Sequence, residues 1–297
     1  EFRRVLFRSK FYSKLEAVQA NSTIGRINWN FNEEVFTSYN WKIEPEKSLQ
    51  ELYRLRAQQI RENYDYIVLW FSGGADSSTV LNSFIDNNIK IDECVGLVNY
   101  EATGDRFNFL NGEIYNVSVP KVEQARLKQP WLKHTLVDLA KLTIDHFTAK
   151  ETKFDWIYQL NGYLNPNNAS KTDIKLSQAH WRHMINSGKR VCFLHGIDKP
   201  RVTKHKDHYY FRFVDLVDTA VSAQVQILNR PWDFDELFYW SPNCPEIPIK
   251  QAHIIKRYLI QAKVEDLSSN INASTVQTNI NGKNYSMNLD TMHRLIY

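Results

Sequence analysis

The chain has 297 residues, 43% of them hydrophobic, enough for one large domain or a core with appendages. Its net charge of +4, from 37 basic and 33 acidic residues, is too weak to argue for a nucleic-acid partner by itself. The three cysteines, Cys94, Cys192 and Cys244, form no CxxC pair, which argues against a disulfide framework, a zinc ribbon or a cysteine-ligated cluster; with no apolar run near membrane-spanning length, the pattern suits a reducing cytoplasm.

Residues 1–9 (EFRRVLFRS) read as a translated cloning remnant and are set aside from fold reasoning. Residues 10–44 are an aromatic N-terminal extension without visible chemistry. A helix is predicted from Glu44-Pro45 onward, because Leu49, Leu52, Tyr53, Arg56 and Ile60 recur at helical spacing.

The most informative stretch follows. Residues 66–71 (YIVLWF) are an unbroken apolar run that stops at a glycine pair, as expected of a strand buried on both faces of a parallel sheet. Val80, Leu81, Phe84 and Ile85 are then spaced for one helix face, so Ser72-Gly-Gly-Ala-Asp76 is a strand-to-helix turn. Gly73 and Gly74 can take positive φ and admit a ligand close to the backbone. Successive N–H groups there form an anion nest, which the helix N-terminus reinforces. Ser72, Ser77 and Ser78 add hydroxyls. Asp76 is a carboxylate in a site built for anions, and a bridging Mg²⁺ between Asp76 and phosphate oxygens resolves the conflict. GxxxxGK[ST], GxGxxG and the GxSxG elbow all fail to match.

Ser72, Gly73, Gly74, Asp76 and Ser77, placed after a buried strand, resemble the PP-loop of the ATP pyrophosphatase superfamily, and the layout is nearest the phosphoadenosine phosphosulfate reductase and sulfate adenylyltransferase small-subunit branch. The resemblance implies a Rossmann-like α/β fold that binds ATP with Mg²⁺. ATP would be split between the α and β phosphates, with the loop gripping pyrophosphate while AMP passes to an acceptor. It also implies that the backbone after the second strand, about Val98 to Glu101 and including Tyr100, holds adenine and ribose.

Asn87-Asn88 ends the loop helix, and residues 91–100 (IDECVGLVNY) are the second strand. Glu101 and Asp105 are candidate ribose or metal contacts, or solvated loop acids. Phe109 to Ile114 reads as a hairpin around Asn111-Gly112, and residues 119–126 open a helix. Residues 133–139 form a third strand, and helices are expected over roughly 141–161 and 171–187. His180 and His183 stand i, i+3 without a third metal ligand. Residues 191–194 are a fourth strand, running into His195-Gly-Ile-Asp-Lys-Pro-Arg201. In a parallel sheet this loop lies beside the first, and Gly196, Lys199 and Arg201 make it a candidate anion clamp. Residues 202–212 interleave basic and aromatic side chains, as a hairpin strand or a nucleic-acid surface. Residues 231–248 are an aromatic and acidic stretch suited to lining a cleft, residues 249–262 form an amphipathic helix, and the Ser/Asn-rich 265–284 reads as a linker.

The expected core is a parallel α/β sheet over 45–220, with 221–297 as a C-terminal appendage whose apolar end, Leu295-Ile-Tyr297, reads as a truncation. The leading function is an ATP pyrophosphatase that adenylates an unidentified acceptor, a small molecule or a nucleic acid, with Asp76, Lys199 and Arg201 as the catalytic set. A sulfonucleotide reductase is the alternative, but it needs a Glu-Cys-Gly-type cysteine that Cys244 in Pro-Asn-Cys-Pro does not match. A module that binds nucleotide without splitting it is the third reading.

Overall fold

The computed structural model describes residues 33–148, 174–175, 177–197, 199–205, 208–212, 233–261, 275–280 and 283–288. Its centre is a five-stranded, all-parallel sheet: β1 (Tyr66–Trp70), β2 (Glu93–Val98), β3 (Lys133–Asp138), β4 (Val191–His195) and β7 (Asp233–Leu237), in the order β3-β2-β1-β4-β7. Two short pieces lie between β4 and β7 in sequence. β5 (Arg201–His205) and β6 (His208–Arg212) pair as an antiparallel hairpin, in keeping with the hairpin reading of 202–212.

Helices cover both faces. α1 is a short turn at Glu33–Phe36. α2 (Leu49–Asn63) and α3 (Ala75–Ile85) pack on one face, with α6 (Val119–Arg126) and α9 (Glu246–Gln261). α4 (Tyr100–Thr103) and α5 (Phe109–Glu113) are single turns, while α7 (Leu139–Thr148) and α8 (Ala179–Asn186) serve the opposite face. The alternation of β1 divides the core: Ile67 and Leu69 join the first cluster, and Val68 the second. Leu52, Ile60, Leu69, Phe84 and Phe193 are fully buried, each contributing roughly 1.5–3 kcal/mol of transfer free energy.

Four expectations need correction. α2 starts at Leu49 rather than near Pro45, because the Ser48 hydroxyl accepts from the Glu51 N–H at 3.2 Å and caps it. Residues 109–118 are helical rather than a hairpin: Asn108 caps α5, and a π-helical turn, Ile114–Ser118, runs into α6. Asn111 is buried there instead of turning the chain; its Oδ1 accepts from the Asn99 N–H at 2.7 Å, and its Nδ2 donates to the Asp105 carbonyl at 2.7 Å. The boundary at 220 cuts the sheet, since β7 is its fifth strand, paired with β4 from Val191↔Asp233 to His195↔Leu237. Two of its acids are neutralised by distant cations: Arg56 meets Glu236 at 2.8 Å, and Lys175 meets Asp235 at 2.6 Å. Finally, the segment expected to be a linker contains β8 (Thr275–Ile280), paired antiparallel with β9 (Lys283–Asn288).

Candidate functional site

The strand order reverses between β1 and β4: from β1 the chain runs outward through β2 and β3, then returns to the other side for β4 and β7. The loops after β1 and β4 therefore diverge at one point on the carboxyl edge, where open α/β sheets leave a crevice for ligands.

Local forces set the first loop. The Phe71 N–H donates to the Val95 carbonyl at 2.8 Å, and the Ser118 hydroxyl donates to the Phe71 carbonyl at 3.2 Å. Gly73 turns the chain at φ +85°, and a Cβ there would stand 2.8 Å from the Ser118 backbone nitrogen. Gly74 is the N-cap of α3 and supplies no side-chain cap. The first N–H groups of α3 thus face the carboxyl edge with the positive end of the helix dipole. Around them are three hydroxyls in long internal bonds. Ser72 Oγ lies 3.3 Å from Ser77 Oγ and accepts from the Gly74 N–H at 3.2 Å; Ser78 Oγ donates to the Gly73 carbonyl at 3.0 Å.

The loop after β4 meets this turn directly. A Cβ on Gly196 would lie 3.0 Å from Ser77 Cα, so the bare glycine backbone lets the two loops touch. Lys199 Nζ lies 2.7 Å from Asp76 Oδ1, with the lysine buried and the aspartate half-exposed. Burial pushes the Lys199 amine below its ordinary range, and the Asp76 carboxylate opposes that shift. Tyr239, just past β7, places its ring 5.1 Å from Lys199 Nζ and donates its hydroxyl to the Asp76 carbonyl at 2.7 Å. The Arg201 backbone opens β5, and its side chain lies outside the described residues.

Of the other expected residues, Val98 ends β2 and is buried, whereas Tyr100 and Glu101 lie exposed in α4 on the same edge. The Glu101 N–H is already engaged, donating to Asp138 Oδ2 at 2.7 Å. Asp105 is also exposed, and its carboxylate accepts from the Phe107 N–H at 2.8 Å. His180 binds the buried Glu93 at 3.0 Å rather than pairing with His183. Among the described residues no group of three or more His, Cys, Asp or Glu side chains is placed to hold a metal. No helix among them is long and apolar enough to cross a membrane. Cys94 and Cys192 are buried and Cys244 is partly so; burial raises all three thiols and so disfavours the thiolate at each.

Sequence reasoning missed three contributors. Lys121 reaches the loop from α6, donating to the Gly73 carbonyl at 2.7 Å and to Ser78 Oγ at 2.8 Å. Glu113 Oε1 would lie 3.6 Å from a Cβ on Gly74, a second carboxylate beside the turn. Glu113 sits in the stretch expected to be a hairpin around Asn111-Gly112, whereas Lys121 sits in the helix expected over 119–126. The third is the buried contact of His195, at the end of β4, with Asp235 of β7, 2.9 Å apart, which the acids of β7 disguised; Tyr239 lies in the 231–248 stretch expected to line the cleft. No protein-family model matches this chain, and no curated protein matches it.

Proposed function

We propose that the chain binds ATP at residues 72–78 and splits it to AMP and pyrophosphate, passing AMP to an acceptor. One observation supports this above the others: an uncapped helix N-terminus, behind a positive-φ glycine, opens at the strand-order reversal with a carboxylate and a buried ammonium beside it. Amides of that kind suit a polyphosphate. The carboxylate suits Mg²⁺, which takes one or two protein carboxylates and completes its shell with phosphate oxygens and water. Asp76 is exposed enough to be that ligand, and Glu113 is a candidate second. When bound, Mg²⁺ would neutralise charge on the phosphate oxygens.

The side chains then have defined tasks. The amides of residues 75–77 would bind the departing pyrophosphate oxygens. Lys199 would lose part of its pairing when Asp76 turns to the metal, and its ammonium would take a phosphate oxygen as replacement. Tyr239 holds the Asp76 backbone in place throughout. The acceptor supplies the nucleophile, so positioning and electrostatics carry the rate.

Asp76→Asn is expected to weaken Mg²⁺-dependent ATP binding at least tenfold, about 1.4 kcal/mol, in calorimetry run with and without Mg²⁺. Equal Mg²⁺-dependence in mutant and wild type would remove the assigned metal role. Pyrophosphate release from wild-type protein offered candidate acceptors separates the enzyme from a module that only binds.

A further inference from the structure

We propose that Lys121 is the cation that holds the polyphosphate end of the ligand at this loop, an inference that rests on the ATP reading above. The π-helical turn sets it up. It widens the backbone just before α6 and seats Ser118 against Gly73, which brings the lysine three residues later onto the loop. Lys121 Nζ donates to the Gly73 carbonyl and to Ser78 Oγ, both neutral oxygens. An ammonium has three N–H donors, and these contacts use two.

The charge balance around the loop singles this residue out. Lys199 is matched by Asp76 at 2.7 Å, which largely cancels its field in the resting state. Among the described residues no carboxylate forms an ion pair with Lys121. Glu113 is the other acid beside the turn, but it is exposed to water, where screening weakens its pull. A half-buried ammonium held by neutral oxygens, next to uncapped helix amides, adds its whole charge to the potential an anion meets. The first loop therefore has a cation of its own, delivered from the next crossover. A purely mechanical role, pinning the Gly73 carbonyl, would use the same two hydrogen bonds but would not depend on charge.

The test is titration of the full-length protein with inorganic pyrophosphate by calorimetry, at several sodium chloride concentrations. Lys121→Met is expected to lose at least tenfold in affinity and to flatten the salt dependence. Lys121→Arg, which keeps the charge, is expected to stay within about threefold of wild type, a difference under about 0.7 kcal/mol. Wild-type affinity in Lys121→Met would overturn the proposal. So would an arginine variant as weak as the methionine one, since that marks a pin rather than a charge. If wild-type protein binds neither pyrophosphate nor ATP, the ATP reading itself fails and takes this inference with it. Should Lys121→Met fail to give a cooperative melt, Lys121→Gln carries the same comparison.

Discussion

Gly73→Ala is expected to reduce ATP affinity by at least 100-fold, about 2.7 kcal/mol, while the protein still melts cooperatively. Two separate costs meet at this residue. At φ +85° an L side chain is strained by roughly 1–2 kcal/mol. In addition, the new Cβ would stand 2.8 Å from Ser118 N and 2.9 Å from Ser118 Cα, both rigid backbone atoms of the π-helical turn. Either the loop or that turn must move, and moving the loop rotates the amides away from the phosphates. Gly74→Ala is the control. Gly74 has an ordinary extended backbone, and the nearest atom to its Cβ is the Ser72 hydroxyl at 3.2 Å, which can swing aside. A small loss at Gly74 beside a large one at Gly73 is the expected pattern in calorimetry. Wild-type ATP affinity in Gly73→Ala would show that the loop does not hold the nucleotide.

Lys175→Met should cost about 3–5 kcal/mol of folding stability, since it strands a buried carboxylate. Asp235 and Lys175 are almost wholly buried, 2.6 Å apart, and His195 adds a contact at 2.9 Å on the other carboxylate oxygen. Burial alone would raise the Asp235 carboxyl; Lys175, and then His195, outweigh it and bring it to about 2. The folded pKa thus lies below the unfolded value of 3.8, so the carboxylate stabilises the fold fully above about pH 4. That contribution, on the order of 2 kcal/mol, is lost as pH falls from about 4 through about 2. Without Lys175 the Asp235 pKa should rise. Urea unfolding should then show a wide gap between mutant and wild type at pH 7, narrowing toward pH 3. A loss below about 1 kcal/mol at pH 7 would mean that the pair is relaxed by neighbours or by water.

The legible parts of this fold are those where one short stretch carries its own cause. Residues 66–71 could only be a strand buried on both sides, and the glycines and serines after it could only be a polar turn before a helix. β4 was readable for the same reason. β7 was not. Asp-Phe-Asp-Glu-Leu has three acids in five residues and reads as solvated until Lys175, His195, Arg56 and Tyr64 are seen around two of them. Asn111-Gly112 carried a strong turn signal, but the buried Asn111 amide bonds back to Asn99, Thr103 and Asp105, and those partners overrode the local preference. The same dipeptide recurs in sequence as Asn281-Gly282, and there the flanking strands β8 and β9 do pair antiparallel. Lys121 lies in a helix that is legible in the sequence, but no spacing rule links it to a loop 48 positions away.

The Tyr239 hydroxyl bonds to the Asp76 backbone across 163 positions of sequence, and that separation is also an interval of time. At about 5–20 residues per second, a ribosome needs roughly ten to thirty seconds to travel from one to the other. During that interval β1 to β4 can emerge and pair, but β4 still has a bare edge and Arg56 has no acid to meet. The turn at residues 72–78 exists long before the tyrosine that steadies it. The nascent chain therefore passes through a window in which a hydrophobic strand edge is open to other chains, and the codons up to about 240 decide how long that window lasts.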